Sequence, residues 1–443
     1  MLYRIIIQNY RSFFRPVEFN LFPNNKRTTM ENHVYTDALS PVLKSSAIYG
    51  SNGAGKSNFV KALLFVKQFV SDKIKINSNW YIHNRFVLKK DIDESPISFL
   101  IEFSINSIPF IYQLSIDKSG IETEALYISG LGKKRNEVVF KRHYDNATYG
   151  QSSVVKEISS LIERFLKSNK YASLLHFLTV NDILDNKNIS SAYKWLRDGL
   201  EVLTLNYDIP GLISLLSHNK KMLDFVNILF RQLSLGMNDV HIKSETFDNW
   251  INNEGKEDLE EFRKDSSFPN IEKIDNLEAA TNQAHIFSIE SINGKKMVQS
   301  FLFNQIGMGG YNRDMDVKTQ SDGTLRLLSL IPAIYEIEEN ECTLVIDEIN
   351  NSIHPIIIRN LIRFFCESKS RGQLIFTTHE TELMRHKDIL RPDEIWFVDK
   401  KEGESSMYSL NDFNFHKTMS IVNGYMDGRF RAIPEDSPII NTL

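Results

Sequence analysis

The sequence predicts an α/β protein: a mixed, mainly parallel sheet carrying a phosphate-binding loop, an antiparallel β meander, and an inserted helical region. Three observations carry this prediction. In "AIYGSNGAGKSNFVKAL", Ala47 to Leu63, an apolar run enters a glycine-rich turn and then a helical pattern. Two more apolar runs, "CTLVIDEI" and "GQLIFTTH", end in polar residues and alternate with helical patterns, as the strands of a parallel sheet do. Between these two parts the hydrophobic period changes to that of helices.

In chain order, "LYRIIIQNYRSF" and "PVEFNLF" read as two strands joined by a turn. The phosphate loop follows. "ISFLIEFSI", "IPFIYQLSID" and "GIETEALYIS" predict the meander, with turn signals at Asn106-Ser107 and Lys118-Ser119-Gly120. These elements make up an expected first segment, 1–150. Residues 151–284 are expected to form a mainly helical insertion, because "VVKEISSLIERFLKSNKYASLLHFLTV", "ISSAYKWLRDGLEVL" and "GLISLLSHNKKMLDFVNILFRQLSLG" place apolar residues at i, i+3 and i+4. The charged stretch "INNEGKEDLEEFRKDSSFPNIEKIDNLE" is expected to be a mobile loop or projecting element. Strand patterns return in "AHIFSIESI" and "MVQSFLFNQI". The simplest assembly joins 1–150 and 285–443 into one nucleotide-binding head.

At 443 residues the chain is long enough for two or three compact units. Its 42% hydrophobic and 24% charged content is that of a soluble globular protein. A net charge of −4 announces no global nucleic-acid field. A local basic stretch, "LGKKRNEVVFKRH", carries Lys133, Lys134, Arg135, Lys141, Arg142 and His143; it reads as a solvated loop or as a phosphate-contacting rim. Two cysteines, Cys342 and Cys366, make neither a disulfide framework nor a cysteine zinc site, so a reducing cytoplasm is expected. No apolar run reaches the ~18 residues of a membrane span, and "MLYRIIIQNY" lacks the apolar core of a signal peptide.

The chemistry concentrates in four places. Gly50, Gly55, Lys56 and Ser57 fit G-x-x-x-x-G-K-S/T. Small residues, Gly53 among them, let backbone N–H groups converge on a β-phosphate, and the following helix adds its positive end. Lys56 is placed to reach the β- and γ-phosphates and Ser57 to hold Mg²⁺. Asn52 and Asn58 are polar neighbours able to touch phosphate or a facing subunit. A buried strand ending in Asp347-Glu348 is costly unless a cation compensates, so Asp347 is read as completing the Mg²⁺ shell and Glu348 as taking the proton of an attacking water. His379 ends the neighbouring run and is read as a γ-phosphate sensor. "QSDGTLRLL" offers Ser321 and Gly323 at a helix start, either as an anion site or as a plain N-cap made by Ser321 or Asp322.

These elements, in the order "GSNGAGKS", "QSDGTLRLL", "LVIDEINNSIHP" and "FTTHE", resemble the ABC-type ATPase heads of the SMC, RecF and OLD group. "IQNYRSF" resembles the first strand of RecF-like heads, and "GYMDGRFRAIP" a tail of stand-alone bacterial members, the RloA- and AriA-type ATPases of abortive-infection and anti-phage systems. "SDGT" departs from the transporter signature LSGGQ, and no Q-loop glutamine can be placed, Gln113 lying in a strand pattern. The resemblance implies ATP and Mg²⁺ as ligands and a homodimer or higher homo-oligomer closing on ATP. In it, Ser321 and Gly323 would contact the γ-phosphate in a second subunit's site, with Asn351, Ser352 and His354 between subunits and Arg11 near the nucleotide. It further implies a separate effector, a nuclease or toxin, under the ATPase's control. The alternative is a RecF-like DNA-maintenance ATPase that binds duplex. An OLD-type nuclease is disfavoured, since about 64 residues follow His379. No membrane partner is expected.

Overall fold

The computed structural model describes the chain except residues 37, 91–93, 151–155, 185, 206–211, 234, 253–276, 282–284, 387, 416–418 and 434–443. The chain divides into two compact units. One comprises Met1–Leu205, Ile337–Ile349 and Leu361–Leu443, and the other Asn206–Glu336 and Asn350–Asn360.

The first unit is organised by a six-stranded sheet in the spatial order Leu200–Leu203, Thr343–Ile346, Gln373–Thr377, Ser45–Tyr49, Ile395–Lys401, Glu404–Ser409. The first five strands run parallel and the last is antiparallel. Ser45–Tyr49, Thr343–Ile346 and Gln373–Thr377 are buried at every position, so they show no alternation of apolar and polar residues. Their carboxyl ends deliver the phosphate loop, Asp347 and His379 to one edge of the sheet, where open α/β sheets bind ligands.

Beside it lies a seven-stranded antiparallel sheet in the order Asn146–Tyr149, Glu137–His143, Gly120–Ile128, Ile108–Asp117, Ile97–Ile105, Leu2–Gln8, Val17–Asn20. The meander turns where turn chemistry stands. Asn106 and Ser107 both take left-handed backbone, with φ of 51° and 59°. At the next turn Asp117 Oδ1 accepts the N–H groups of Ser119 and Gly120. One apolar cluster joins both sheets to the loop helix Lys56–Val70 through residues such as Phe59, Val66, Phe99 and Ile101.

That cluster also contains Leu174, Ile189 and Trp195, and the Trp195 ring stacks on Phe103 at 4.2 Å. The expected boundary at 150/151 is therefore displaced to 205/206. Helices Lys156–Ser168, Leu174–Val180 and Lys187–Lys194 belong to the first unit, and a π-turn at Trp195–Gly199 leads into the sheet strand Leu200–Leu203. The spacing of Leu196, Leu200 and Leu203 mimics a helix; pairing of Leu200–Leu203 with Thr343–Ile346 decides otherwise.

The second unit is built on antiparallel strands. Met237–Thr246 pairs with Lys295–Ile306, which pairs with His285–Ile292 and Asn312–Asp316; Leu277–Thr281 lies beyond His285–Ile292. Helices Leu212–His218 and Lys220–Gln232 accompany it, and Asn227 ties the second to the sheet by bonding both main-chain groups of Val240. Residues 285–336, expected in the nucleotide-binding head, thus sit in this unit, because the strand pairing is with Met237–Thr246 and not with the parallel sheet. Most of the charged stretch from Ile251 lies outside the described residues. Among the described residues no helix is long and apolar enough to cross a membrane.

Candidate active site

The phosphate loop begins where the fully buried strand Ser45–Tyr49 ends. A Cβ on Gly50 would stand 2.3 Å from the Val398 carbonyl oxygen, so only glycine lets the strand turn there. Gly55 has φ 122°, and a Cβ on it would meet Ser405 Oγ at 2.4 Å and Ser12 Oγ at 3.0 Å. The loop is thus held from outside by two serines that the sequence did not single out. Ser405 Oγ donates to the Ala54 carbonyl, and the Ser12 hydroxyl accepts the Asn58 amide at 2.8 Å. Asn58, read as free to touch phosphate or a facing subunit, has its amide committed to Ser12.

Lys56 is the first residue of the helix and is 5% exposed. Its ammonium donates to the carbonyls of Gly50 at 2.9 Å and Ser51 at 3.2 Å. Burial lowers its pKa to about 8, with Glu348 and then Asp347 opposing the shift. His379 stands between Lys56 and Glu348. Its Nδ1 is 3.5 Å from the ammonium and its Nε2 3.7 Å from the Glu348 carboxylate. Burial, then the Lys56 cation, lowers the His379 pKa from its ordinary 6.5 against the pull of Glu348. A neutral ring with its proton on Nε2 suits both neighbours: Nδ1 accepts from the cation and Nε2 points at the carboxylate.

Asp347 follows the strand Thr343–Ile346 and is buried. Its N–H donates to Leu203 O at 2.8 Å and its Oδ1 accepts the Thr377 hydroxyl at 2.7 Å. Glu348 has left-handed backbone, φ 49°, and its N–H donates to that same hydroxyl at 2.8 Å. Asn52, Gly53, Gly55, Lys56, Ser57, Asn58, Glu348 and His379 together line one cavity of about 430 Å³.

The cradle fits a nucleotide's phosphates. It has glycine where the packed turn leaves no room for a Cβ, the open N-terminus of a 15-residue helix, and a buried ammonium satisfied by the loop's own carbonyls. Ser57 and Asp347 are the oxygen donors of the kind a Mg²⁺ beside that phosphate takes from protein. Arg11 lies on a strained turn, φ 53°, its Nε donating to Tyr10 Oη at 3.1 Å. The remaining sequence-predicted residues belong to the second unit. Ser321 Oγ accepts the Thr324 N–H at 3.3 Å, capping the helix Asp322–Glu339, and a Cβ on Gly323 would stand 2.4 Å from Ser352 O. Gln113 lies within the meander strand Ile108–Asp117.

Over residues 45–171 and 202–385, well over half its length, the sequence matches the family described as "AAA domain, putative AbiEii toxin, Type IV TA system". The chain belongs to this family. The match spans the phosphate loop, Ser321, Asp347-Glu348 and His379, and the parallel-sheet unit has a P-loop ATPase fold. No curated protein matches the sequence. Solved structures similar to the chain include an SMC head bound to the C-terminal winged-helix domain of ScpA, at 13% identity and TM-score 0.46, covering 96% of this chain and 99% of that one. Another is the SMC head domain from Thermotoga maritima, at 12% identity and TM-score 0.42, covering 92% and 98%. A third is the Pyrococcus furiosus SMC head with an extended coiled coil bound to the C-terminal domain of ScpA, at 13% and 0.40, covering 93% and 98%.

Proposed function

We propose that this chain binds and hydrolyses ATP, that two copies close around it, and that the closed state regulates a separate effector in an anti-phage, abortive-infection system. One observation carries the ATPase reading: the Lys56 ammonium, the His379 ring and the Glu348 carboxylate meet at the mouth of a single glycine cradle. The family description, which names a putative AbiEii toxin and a type IV toxin–antitoxin system, supports the abortive-infection setting.

Each residue then has a role set by its chemistry. The loop N–H groups and Lys56 bind the β- and γ-phosphates, and Ser57 and Asp347 hold Mg²⁺, which when bound neutralises charge on the phosphate oxygens. Glu348 accepts the proton of the attacking water. His379, neutral and with Nε2 3.7 Å from the Glu348 carboxylate, faces that carboxylate and reads the γ-phosphate. Ser321 and the helix N–H groups beside Gly323 contact the γ-phosphate held by a second copy. The output is a switch in assembly, so turnover is slow.

Purified chain tests this directly. Phosphate release from ATP should require Mg²⁺, and light scattering should show a dimer or larger assembly with a non-hydrolysable ATP analogue but not without it. Absence of phosphate release removes the enzyme reading; a mass unchanged by the analogue removes the clamp. Salt-sensitive, ATP-dependent duplex binding would favour the DNA-maintenance alternative, for which exposed Lys133, Lys134, Arg135 and Lys141 are the candidate contacts.

A further inference from the structure

We infer that Thr377 is the positioning residue of the hydrolytic centre: its hydroxyl holds the Asp347 side chain and the Glu348 backbone at the same time. The inference rests on the ATPase reading of the cradle and says what keeps its two carboxylates in register.

Thr377 ends the strand Gln373–Thr377, is fully buried, and lies two residues before His379. A threonine hydroxyl has one proton and two lone pairs. Here the proton goes to Asp347 Oδ1 at 2.7 Å, and a lone pair receives the Glu348 N–H at 2.8 Å. The polarity of the chain is fixed, because an ionised carboxylate can only accept and an amide N–H can only donate. The Thr377 carbonyl then accepts the Ile349 N–H at 3.1 Å. One residue therefore binds the side chain of Asp347 and the amides of Glu348 and Ile349.

The grip falls where the backbone needs it. Glu348 is a non-glycine residue with φ 49°, a conformation that persists only when its surroundings enforce it. The two amides that Thr377 holds flank that residue's α-carbon. Fixing them aims the Glu348 side chain toward His379 Nε2, 3.7 Å away. The bond to Oδ1 sets the rotation of the Asp347 carboxylate, and so the direction in which its second oxygen faces. A hydroxyl that merely satisfied a buried aspartate would need only the first of these contacts.

Thr377→Val keeps the shape and deletes donor and acceptor; Thr377→Ser keeps both. For Thr377→Val the expectation is at least a tenfold fall in kcat, a nucleotide KM within about threefold of wild type, and at least a fivefold rise in the Mg²⁺ concentration for half-maximal rate. Thr377→Ser should recover kcat to within about threefold. Binding of Mn²⁺ in the presence of a non-hydrolysable ATP analogue, followed by electron paramagnetic resonance, gives a readout that needs no turnover; Thr377→Val should weaken it at least fivefold. Should Thr377→Val misfold by circular dichroism, Thr377→Ala in the Mn²⁺ titration takes its place. Wild-type Mn²⁺ affinity and kcat in the valine variant, or a serine variant as impaired as the valine one, would overturn the inference. A wild-type protein that binds analogue and Mn²⁺ but releases no phosphate would instead sink the ATPase reading, and the Mn²⁺ titration would still decide Thr377.

Discussion

The turn Gly50–Ser57 and the turn Gln320–Thr324 both precede helices, yet they are built for different work. In the first, a buried ammonium is folded back onto the loop's carbonyls, and carboxylates from the strand end two places along the sheet answer it. In the second, Ser321 is exposed, its hydroxyl serves the Thr324 N–H and hydroxyl, and its carbonyl accepts the Leu325 N–H. That is the bonding of an N-cap. The cradle stores charge in a low-dielectric place, so phosphate binding there should be driven by charge pairing. The Ser321 turn offers only directed N–H groups, so under the proposed clamp it should add strength only to a phosphate already held by another site. The contrast teaches that the first turn should dominate affinity and the second should act on assembly and turnover.

The largest effect should come from the carboxylate that faces the cradle. Glu348→Gln removes the proton acceptor while keeping the side chain's shape, and turnover should fall by about 10²- to 10⁴-fold. Nucleotide affinity should be retained and the analogue-bound assembly should persist with ATP itself. Steady-state phosphate release and light scattering check this; unchanged turnover would take Glu348 out of the role. Lys56→Ala should come next, with nucleotide affinity weakened about 100-fold, or about 2.7 kcal/mol, in a fluorescent-nucleotide titration. Ser321→Ala in the same titration should stay within about threefold. Equal losses in the two variants would break the contrast between the turns.

Gly323→Ala sharpens it from the other side. The added Cβ meets a main-chain oxygen, Ser352 O, at 2.4 Å, and backbone cannot move aside as a flexible side chain can. We expect about 1–3 kcal/mol of destabilisation, read as a lower melting temperature. ATP-dependent assembly should fail, while nucleotide affinity stays near wild type. Loss of affinity matching that of Lys56→Ala would show that the second turn contributes directly to the first site.

What was legible in the sequence follows the same division. The phosphate loop reads out because its glycines are demanded by close contacts with Val398, Ser405 and Ser12, so the spacing itself encodes the geometry. Asp347, Glu348 and His379 read out because each ends an otherwise apolar buried strand. Leu200–Leu203 did not, since four residues take their strand character from pairing with Thr343–Ile346. Nor did the sheet membership of Lys295–Ile306, whose partner "MNDVHIKSET" is too polar to announce a strand. Arg142 looked like one more cation of a basic stretch. It is buried, donating to the carbonyls of Tyr144, Ala172 and Lys170, while the adjacent Glu124 accepts the N–H groups that open the helix Leu174–Val180. Thr377 passed as one of two threonines in "FTTHE"; its polar atom in a buried strand was the available signal.

The smallest expected effect, and the most specific to Lys56, is on pH dependence. Burial holds its pKa at about 8, below the ordinary 10.5. A bound phosphate stabilises the cation and pulls that pKa back up, so binding takes up a proton once the pH exceeds about 8. Affinity should therefore be level below pH 8 and fall above it, by at most tenfold per pH unit. Stability without nucleotide should move the other way. Between about 8 and 10.5 the unfolded lysine keeps its proton while the folded one has lost it. Stability then rises with pH across that window, as the penalty of burying the charge is relieved. Lys56→Met should abolish both slopes, and Ser321→Ala should leave both in place. Opposite slopes, one in a titration and one in a melting curve, single out a buried cation that answers phosphate; parallel slopes would assign the pH effect to another group and leave the cradle's charge unused.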